Sequence, residues 1–280
     1  MYSLLRNEFT FVQLKASELS NSMIKLSACI ITLNEEKNIA RCINALHGVA
    51  DEIVVVDSFS DDRTIAIAEE LGARIVQRAF TGYGDQKLFA QQQASHEWIL
   101  SIDADEVLSD ELTKSIREVK ADPRYDGYRI NILANYCGKW IRHCGWYPQP
   151  KLRLWNREKG SMVVDKVHEG IYLHDRSAVI GELKGDLLHY SYNTISEHVR
   201  KIEHYTEIGA RADVARGKKA SLLKLVVVPK WQFFMDFVIR LGFLDGYYGY
   251  VVCKNSAYGS FIKYAKIRQY TALKEQGLDY

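Results

Sequence analysis

The chain reads as an α/β protein built on a mostly parallel sheet with helices on both faces, followed by a helical C-terminal region. Two features of the sequence carry that reading. From Leu26 to Lys120, short and nearly continuous apolar runs alternate with segments of helical period. Runs of that kind belong to strands buried on both faces, as in parallel sheets. After Ser196 the strand-like runs give way to long segments of helical character rich in aromatic and basic residues.

Leu26 to Leu33 is a β-type run. Asn34-Glu35-Glu36 follows, and then Ile39, Cys42, Ile43 and Leu46 at helical spacing. Glu52 to Val56 is a second run, rich in β-branched residues, closed by Asp57 and the polar loop Ser58 to Asp62 before a helix over Thr64 to Leu71. A third short strand spans Arg74 to Gln77 and is followed by a helix from about Asp85 to Ala94. The fourth strand, Trp98 to Ile102, ends in Asp103-Ala104-Asp105-Glu106, and a helix spans Ser109 to Lys120. In an extended segment Asp103 and Asp105 would share a face, a pair of hard oxygen donors suited to Mg²⁺ or Mn²⁺ with phosphate, or else a polar strand end that caps the next helix.

In parallel sheets ligands bind beyond the carboxyl ends of the strands, where Asn34, Asp57 and the Asp103 cluster all fall. No Gly-x-Gly-x-x-Gly follows the first strand and no P-loop lysine motif occurs, so the dinucleotide and P-loop classes lose their main support. Asp126 to Leu133 reads as a further strand, and Trp140 to Trp155 is an aromatic segment suited to a sugar ring or to core packing. Core packing is the expectation for Trp155.

The net charge of +2 over 280 residues is ordinary for a globular protein and gives no reason to expect a nucleic-acid partner. Five scattered cysteines point to reduced thiols in a reducing compartment. Cys137, His143 and Cys144 lack the companion ligands of a zinc site. Residues 1–22 carry charges at Arg6, Glu8, Lys15 and Glu18 and no apolar core of signal-peptide length, so they read as an N-terminal extension. The expected organisation is this extension, a domain over 23–195 with halves 23–120 and 121–195, and a basic amphipathic helical region over 196–280.

In that last region Tyr205, Ile208, Ala212 and Ala215 are expected to form one apolar stripe. From Ser196 to Tyr280 there are 14 Lys or Arg against 8 Asp or Glu, so the basic charge is concentrated here. Leu222 to Val252 is unusually apolar and aromatic, but Lys230, Asp236, Arg240 and Asp245 interrupt it. Basic amphipathic helices of this kind fit either an anionic membrane surface or burial in the protein or a dimer.

Ile30-Ile31-Thr32-Leu33-Asn34-Glu35-Glu36, Val54-Val55-Val56-Asp57-Ser58 with Ser60-Asp61-Asp62-Arg63-Thr64, and Asp103-Ala104-Asp105-Glu106 occur in the order of the family 2 glycosyltransferases. Over Leu26 to His189 the chain resembles that family and its Rossmann-like GT-A fold. Its subtype is similar to the bacterial enzymes that add β-1,4-glucose to the inner-core heptose of lipopolysaccharide. The resemblance implies an inverting hexosyltransferase using a nucleoside-diphosphate sugar, UDP-glucose in that subtype, and Mg²⁺ or Mn²⁺. It implies a lipid-linked oligosaccharide acceptor met on the inner face of the bacterial cytoplasmic membrane, to which the protein would bind peripherally.

Carried over by position, the resemblance places Thr32, Asn34 and Glu35 along the nucleotide and Asp57 on the uracil or ribose. Asp103 would face the ribose or donor sugar, and Asp105 would be the metal ligand. Lys87 suits a diphosphate contact or a solvated surface, and Arg153 suits the diphosphate or a partner acid. Glu169, in Val167-His168-Glu169, is the expected general base, with Asp165 the runner-up and an ion pair with Lys166 the alternative. His189 suits the metal or phosphate site, or a structural role. Gly242-Phe243-Leu244-Asp245-Gly246 also matches the subtype, without an implied chemical role. Two other readings stay open: a GT-A transferase of another nucleotide sugar for capsule or O-antigen, and a non-catalytic sugar-nucleotide-binding membrane protein.

Overall fold

The computed structural model describes residues 23–164, 169–174 and 177–279, apart from the side chains of Val164 and Glu169. The N-terminal extension lies outside these residues. The chain divides into two compact units, one of residues up to Asn131 with Pro150–Leu188, the other of Ile132–Gln149 with His189–Tyr280.

The first unit opens with β1 (Leu26–Thr32), α1 (Ile39–Leu46), β2 (Glu52–Asp57), α2 (Thr64–Glu70), β3 (Arg74–Gln77), α3 (Tyr83–Gln93) and β4 (Trp98–Asp103). Then come β5 (Glu106–Leu108), α4 (Asp110–Ala121) and β6 (Gly127–Tyr136), the last of which runs on into the second unit. The short β7 (Lys139–Trp140) pairs with the end of β6, and β8 (Pro150–Asn156) returns to the first unit. A two-stranded hairpin of β9 (Gly160–Val164) and β10 (Glu169–Leu173) precedes β11 (Ile180–Tyr192).

The strand order is β3-β2-β1-β4-β8-β6-β11-β5. β3, β2, β1 and β4 are mutually parallel, as expected, and β8 joins β4 antiparallel, with β6 antiparallel to β8 in turn. The sheet is therefore mixed, its parallel half drawn from the alternating strands and helices and its antiparallel part from the later segments. Residues along β1 divide by parity, since successive side chains point to opposite faces. Leu26, Ala28 and Ile30 pack with Ile39, Ile43 and Leu46 of α1, Ala68 of α2 and Ile116 of α4. Cys29 packs the other way, with Ala90 of α3, Ile99 and Trp155. Both faces are thus covered, and Trp155 is a core residue at 1% exposure.

Strand order reverses at β1, so the carboxyl ends of β1, β2 and β4 flank a topological switch point, where open α/β sheets form their ligand crevice. The register sets Thr32 beside Asp57 and Ile31 beside Asp103. The acidic run is not continuously extended: β4 ends at Asp103, Ala104-Asp105 form a turn, and β5 begins at Glu106. The following helix takes its cap from Ser109, which accepts from Leu112 N–H at 3.2 Å, so neither aspartate is spent on capping.

In the second unit α5 (Ile195–Ala215) is capped by Thr194, and α6 (Leu222–Phe234) by Ser221. A π-turn (Met235–Ile239) and a 3₁₀ turn (Gly242–Asp245) lead into the thirty-residue α7 (Gly246–Glu275). The stripe expected on α5 is not the buried one. Tyr205 and Ile208 are exposed, and the helix instead buries His198, Thr206, Ala210, Asp213 and Val214. Polar partners on neighbouring segments account for the difference: Asp213 pairs with Lys218 and Lys263 at 2.9 Å each, and Glu207 pairs with Lys266 at 3.0 Å.

The Gly242 to Gly246 segment has a packing role in this unit. A side chain on Gly242 would run into the Asp236 carbonyl and the sulfur of Cys253 at 2.7 Å. Asp245 accepts from the backbone N–H groups of Arg142 (3.1 Å) and His143 (2.8 Å) and meets His143 Nδ1 at 2.9 Å.

Candidate active site

At the carboxyl ends of β1 and β2 stand two loops that hold one another. Asn34, in the left-handed region at φ 55°, donates its N–H to Ser60 Oγ (2.9 Å), and its side-chain oxygen accepts from Asp61 N–H (3.0 Å). Glu35 N–H donates to Thr64 Oγ1 (2.7 Å) and Glu36 N–H to Asp62 (3.1 Å). With a fifth bond, from Arg63 N–H to Glu36 Oε2 (3.3 Å), these lace the β1–α1 and β2–α2 loops together. Asp57, fully buried at the end of β2, accepts from the backbone N–H of Ser60 at 2.8 Å and from its hydroxyl. Its carboxylate thus shapes the loop that it precedes, which leaves lone pairs but sets their direction.

Two buried polar atoms in this region have no partner among the described residues: Thr32 Oγ1 and Gln86 Oε1. Gln86, on α3, donates through Nε2 to Ser58 Oγ (2.9 Å) and to the Arg78 carbonyl (3.1 Å), which ties α3 to the ends of β2 and β3. Buried polar atoms are ordinarily satisfied, so orphans here mark a place built for something polar.

The centre of the site is a four-membered charge network. Lys87, from α3, lies 2.6 Å from Asp103 Oδ1, and Arg153, from β8, lies 3.2 Å from Asp103 Oδ2. Arg153 also meets Glu106 Oε1 at 2.8 Å, while Glu106 Oε2 accepts the backbone N–H of Asp103 at 2.8 Å. Glu106 is 0% exposed, and the side chains of Arg153 and Asp103 are 10% and 27% exposed. Burial alone would raise the Asp103 pKa, but the charges of Arg153 and Lys87 outweigh it and hold the carboxyl well below its usual range. Burial likewise works against the Arg153 cation, and Glu106 and Asp103 reverse that effect, so the guanidinium stays charged.

The structure therefore brings together Lys87, Asp103 and Arg153, and sets Thr32, Asn34, Glu35 and Asp57 at the adjoining strand ends. Lys87 is engaged with Asp103 rather than solvated, and Arg153 pairs with acids. Glu106, to which the sequence assigns no role, clamps the turn by holding both Arg153 and the Asp103 backbone. Gln86 was also missed, although its place beside Lys87 at the start of a helix was a signal.

Asp105 stands half-buried in the turn. Among the described residues no group of three or more His, Cys, Asp or Glu side chains is arranged to hold a metal. Asp105, a single carboxylate at the carboxyl end of the sheet, is compatible with Mg²⁺ or Mn²⁺, which take few protein ligands and complete their shell with water and phosphate. The donor set therefore fits that class of ion. His189 lies on β11 in the second unit, its carbonyl accepting from Ser191 Oγ at 3.3 Å. Glu169 opens β10 opposite Val164, but its side chain, like Asp165, Lys166 and His168, lies outside the described residues.

The family model described as "Glycosyl transferase family 2" matches residues 27–172. A glycosyltransferase of Rickettsia typhi is 35% identical over 256 residues, covering 88% of this chain and 88% of its own length. The lipopolysaccharide core biosynthesis glycosyltransferase LpsC of Rhizobium meliloti is 33% identical, covering 90% of this chain and 94% of its own. Among solved structures, glucosyl-3-phosphoglycerate synthase of Mycobacterium tuberculosis, in complex with Mn²⁺ and UDP, shows a partial likeness. It covers 40% of this chain and 44% of its own, at 21% identity and a TM-score of 0.34. With its motifs at the carboxyl ends of β1, β2 and β4, and with a family match across more than half its length, the chain belongs to the family 2 glycosyltransferases.

Proposed function

We propose that this transferase moves a hexose, glucose from UDP-glucose, onto a lipopolysaccharide core sugar with inversion at the anomeric carbon. The observation that carries the reading is the Asp103–Asp105 turn, set at the switch point and fixed by two cations and the buried Glu106. The LpsC likeness over most of both chains supports a core oligosaccharide as acceptor; the transfer would take place at the cytoplasmic face of the inner membrane.

In this reading Thr32, Asn34, Glu35 and Asp57 line the nucleotide, Asp57 accepting from donors on the uracil or ribose, and Asp103 orients the ribose or donor sugar. Lys87 and Arg153, which hold Asp103 ionised, would also meet the diphosphate. Asp105 would hold Mg²⁺ or Mn²⁺. That ion, when bound, offsets the charge that develops on the departing diphosphate. Glu169 takes the proton of the acceptor hydroxyl as its oxygen bonds to the anomeric carbon, while the bond from that carbon to the diphosphate oxygen breaks on the opposite face.

The test is UDP release from UDP-glucose with purified core oligosaccharide for the wild type, Asp105→Ala and Glu169→Gln. Each variant is expected to lose at least ~100-fold in kcat. Substantial turnover by Asp105→Ala would overturn the metal assignment, and turnover of a different nucleotide sugar in preference to UDP-glucose would move the donor. Absence of turnover with any nucleotide sugar would favour a binding protein.

A further inference from the structure

Helix α6 has an apolar outer face. Leu223, Val226, Val227, Trp231 and Phe234 recur at the spacing of one helical face, and they are 71%, 53%, 48%, 59% and 43% exposed. None of the helix's thirteen residues is fully buried. A helix packed on one side is ordinarily polar on the other, whereas this one is apolar on both. The patch continues past the π-turn, where Phe243, Leu244 and Tyr247 are 47%, 56% and 67% exposed.

The charges around the patch are sorted by sign. Between Leu222 and Phe261 there are six charged residues. The two acids, Asp236 and Asp245, are buried at 2% and 6% exposure. Asp236 is satisfied by Gln232 (2.7 Å) and Arg240 (2.8 Å), and Asp245 by His143 and two backbone N–H groups. The four bases, Lys224, Lys230, Arg240 and Lys254, are all exposed. Lys230 lies within the apolar face, and Lys254 sits 4.5 Å from the Phe233 ring beneath it. The surface this hairpin shows to solvent is therefore apolar, aromatic and cationic, with no exposed acid.

We propose that this face is an interfacial membrane anchor: α6 and the 3₁₀ turn lie on an anionic phospholipid leaflet, Leu223, Val227 and Trp231 among the acyl chains and the lysines among the headgroups. A second copy of the chain fits less well. A two-fold interface would place like charges against one another with no exposed acid in the segment to pair them. Lipid headgroups supply the missing anions, and Trp, Tyr and Lys are the side chains that settle at such a boundary. Among the described residues no helix is long and apolar enough to cross a membrane. The proposal gives a place to the lipid-linked acceptor of the transferase reading, but its test does not depend on turnover.

The full-length protein is sedimented with phosphatidylethanolamine vesicles containing about one-third phosphatidylglycerol, and with phosphatidylcholine vesicles. The wild type is expected to bind the anionic vesicles. Val227→Asp with Trp231→Asp should lower its partition at least ~100-fold, because it removes two apolar anchors and adds two repelled charges. Lys224→Gln with Lys230→Gln should lower binding to anionic vesicles by about five-fold per lysine and leave binding to neutral ones unchanged. As these side chains are exposed, all variants should fold and retain transfer to a delipidated oligosaccharide. In the wild type, brominated lipid should quench a component of tryptophan fluorescence that Trp231→Phe abolishes. Equal vesicle binding by wild type and the Val227/Trp231 variant would overturn the proposal, as would a wild-type dimer that this variant converts to monomer. A protein that binds vesicles but turns over no nucleotide sugar would refute the transferase reading and leave the anchor standing.

Discussion

Replacing Glu106 by glutamine should destabilise the first unit by about 3 kcal/mol, although the change is one atom in size. The carboxylate is 0% exposed and serves two donors with its two oxygens, Arg153 at 2.8 Å and the Asp103 N–H at 2.8 Å. An amide has one acceptor oxygen, so whichever way it turns, its NH₂ confronts one of those donors. A buried hydrogen bond lost in this way costs ~1–3 kcal/mol. The Arg153 cation would also be left with Asp103, at 3.2 Å, as its contacting counter-charge, and removing one partner of a buried ion pair costs ~3–5 kcal/mol. The two costs overlap, and the surviving Asp103 contact holds the sum near the lower figure. At roughly 2–4 °C per kcal/mol for a protein of this size, the melting temperature should fall by about 6–12 °C. Adding Arg153→Met should recover part of the loss, because it removes the uncompensated cation, giving a coupling of at least ~1 kcal/mol in a double-mutant cycle. Thermal and urea unfolding of the four proteins measure this. A Glu106→Gln melting temperature within ~2 °C of wild type, or strict additivity in the cycle, would refute the clamp.

At the opposite, amino end of the sheet, Glu52 accepts from Ser27 Oγ (2.6 Å), Ser95 N–H (2.8 Å) and Arg74 (3.0 Å). Burial works to raise its pKa, but these hydrogen bonds, led by that from Ser27, lower it to about 2. A depressed carboxyl stabilises above its unfolded pKa and loses that contribution as pH falls from about 4.5 towards about 2. Glu52→Gln should therefore cost roughly 1–2 kcal/mol at pH 7 after solvent screening, and should flatten the acid limb of the stability curve. Urea titrations from neutral pH down through that window check it. Gly185, at φ 87°, sits where a methyl group would run into the backbone nitrogen of Leu112 at the start of α4. Gly185→Ala should cost more than about 2 kcal/mol, measured by thermal unfolding, while Gly217→Ala, with open space around it, should cost less.

The parallel half of the sheet was legible because its signals are local. Runs such as Glu52–Asp57 and the spacing of Ile39, Cys42, Ile43 and Leu46 need only a strand's or a helix's length of sequence to declare themselves. The candidate site was legible as three polar strand ends, for the same reason. What joins them was not. Lys87 meets Asp103 across sixteen positions, and Arg153 meets Glu106 across forty-seven, pairings that follow from α3 lying on one face of the sheet and β8 lying beside β4. Asp57 read as a ligand contact, yet part of its hydrogen-bonding capacity is spent on Ser60, three residues away. The α5 stripe failed because periodicity ranks residues by polarity, whereas Asp213 and Thr206 are buried with partners supplied by α7 and the segment beyond α5.

The lacing of Asn34, Glu35 and Glu36 to Ser60, Thr64 and Asp62 bears on how this protein can be re-engineered. The two loops form a single cassette, since each supplies the hydrogen-bonding complement of the other. A graft that exchanges 58–63 alone for the loop of a relative would orphan donors at 34–36, and a graft of 34–36 alone would orphan acceptors at 60–64. Under the proposed function, in which these loops line the nucleotide, donor specificity would have to be transplanted with both loops together, along with the strand ends that carry Thr32 and Asp57.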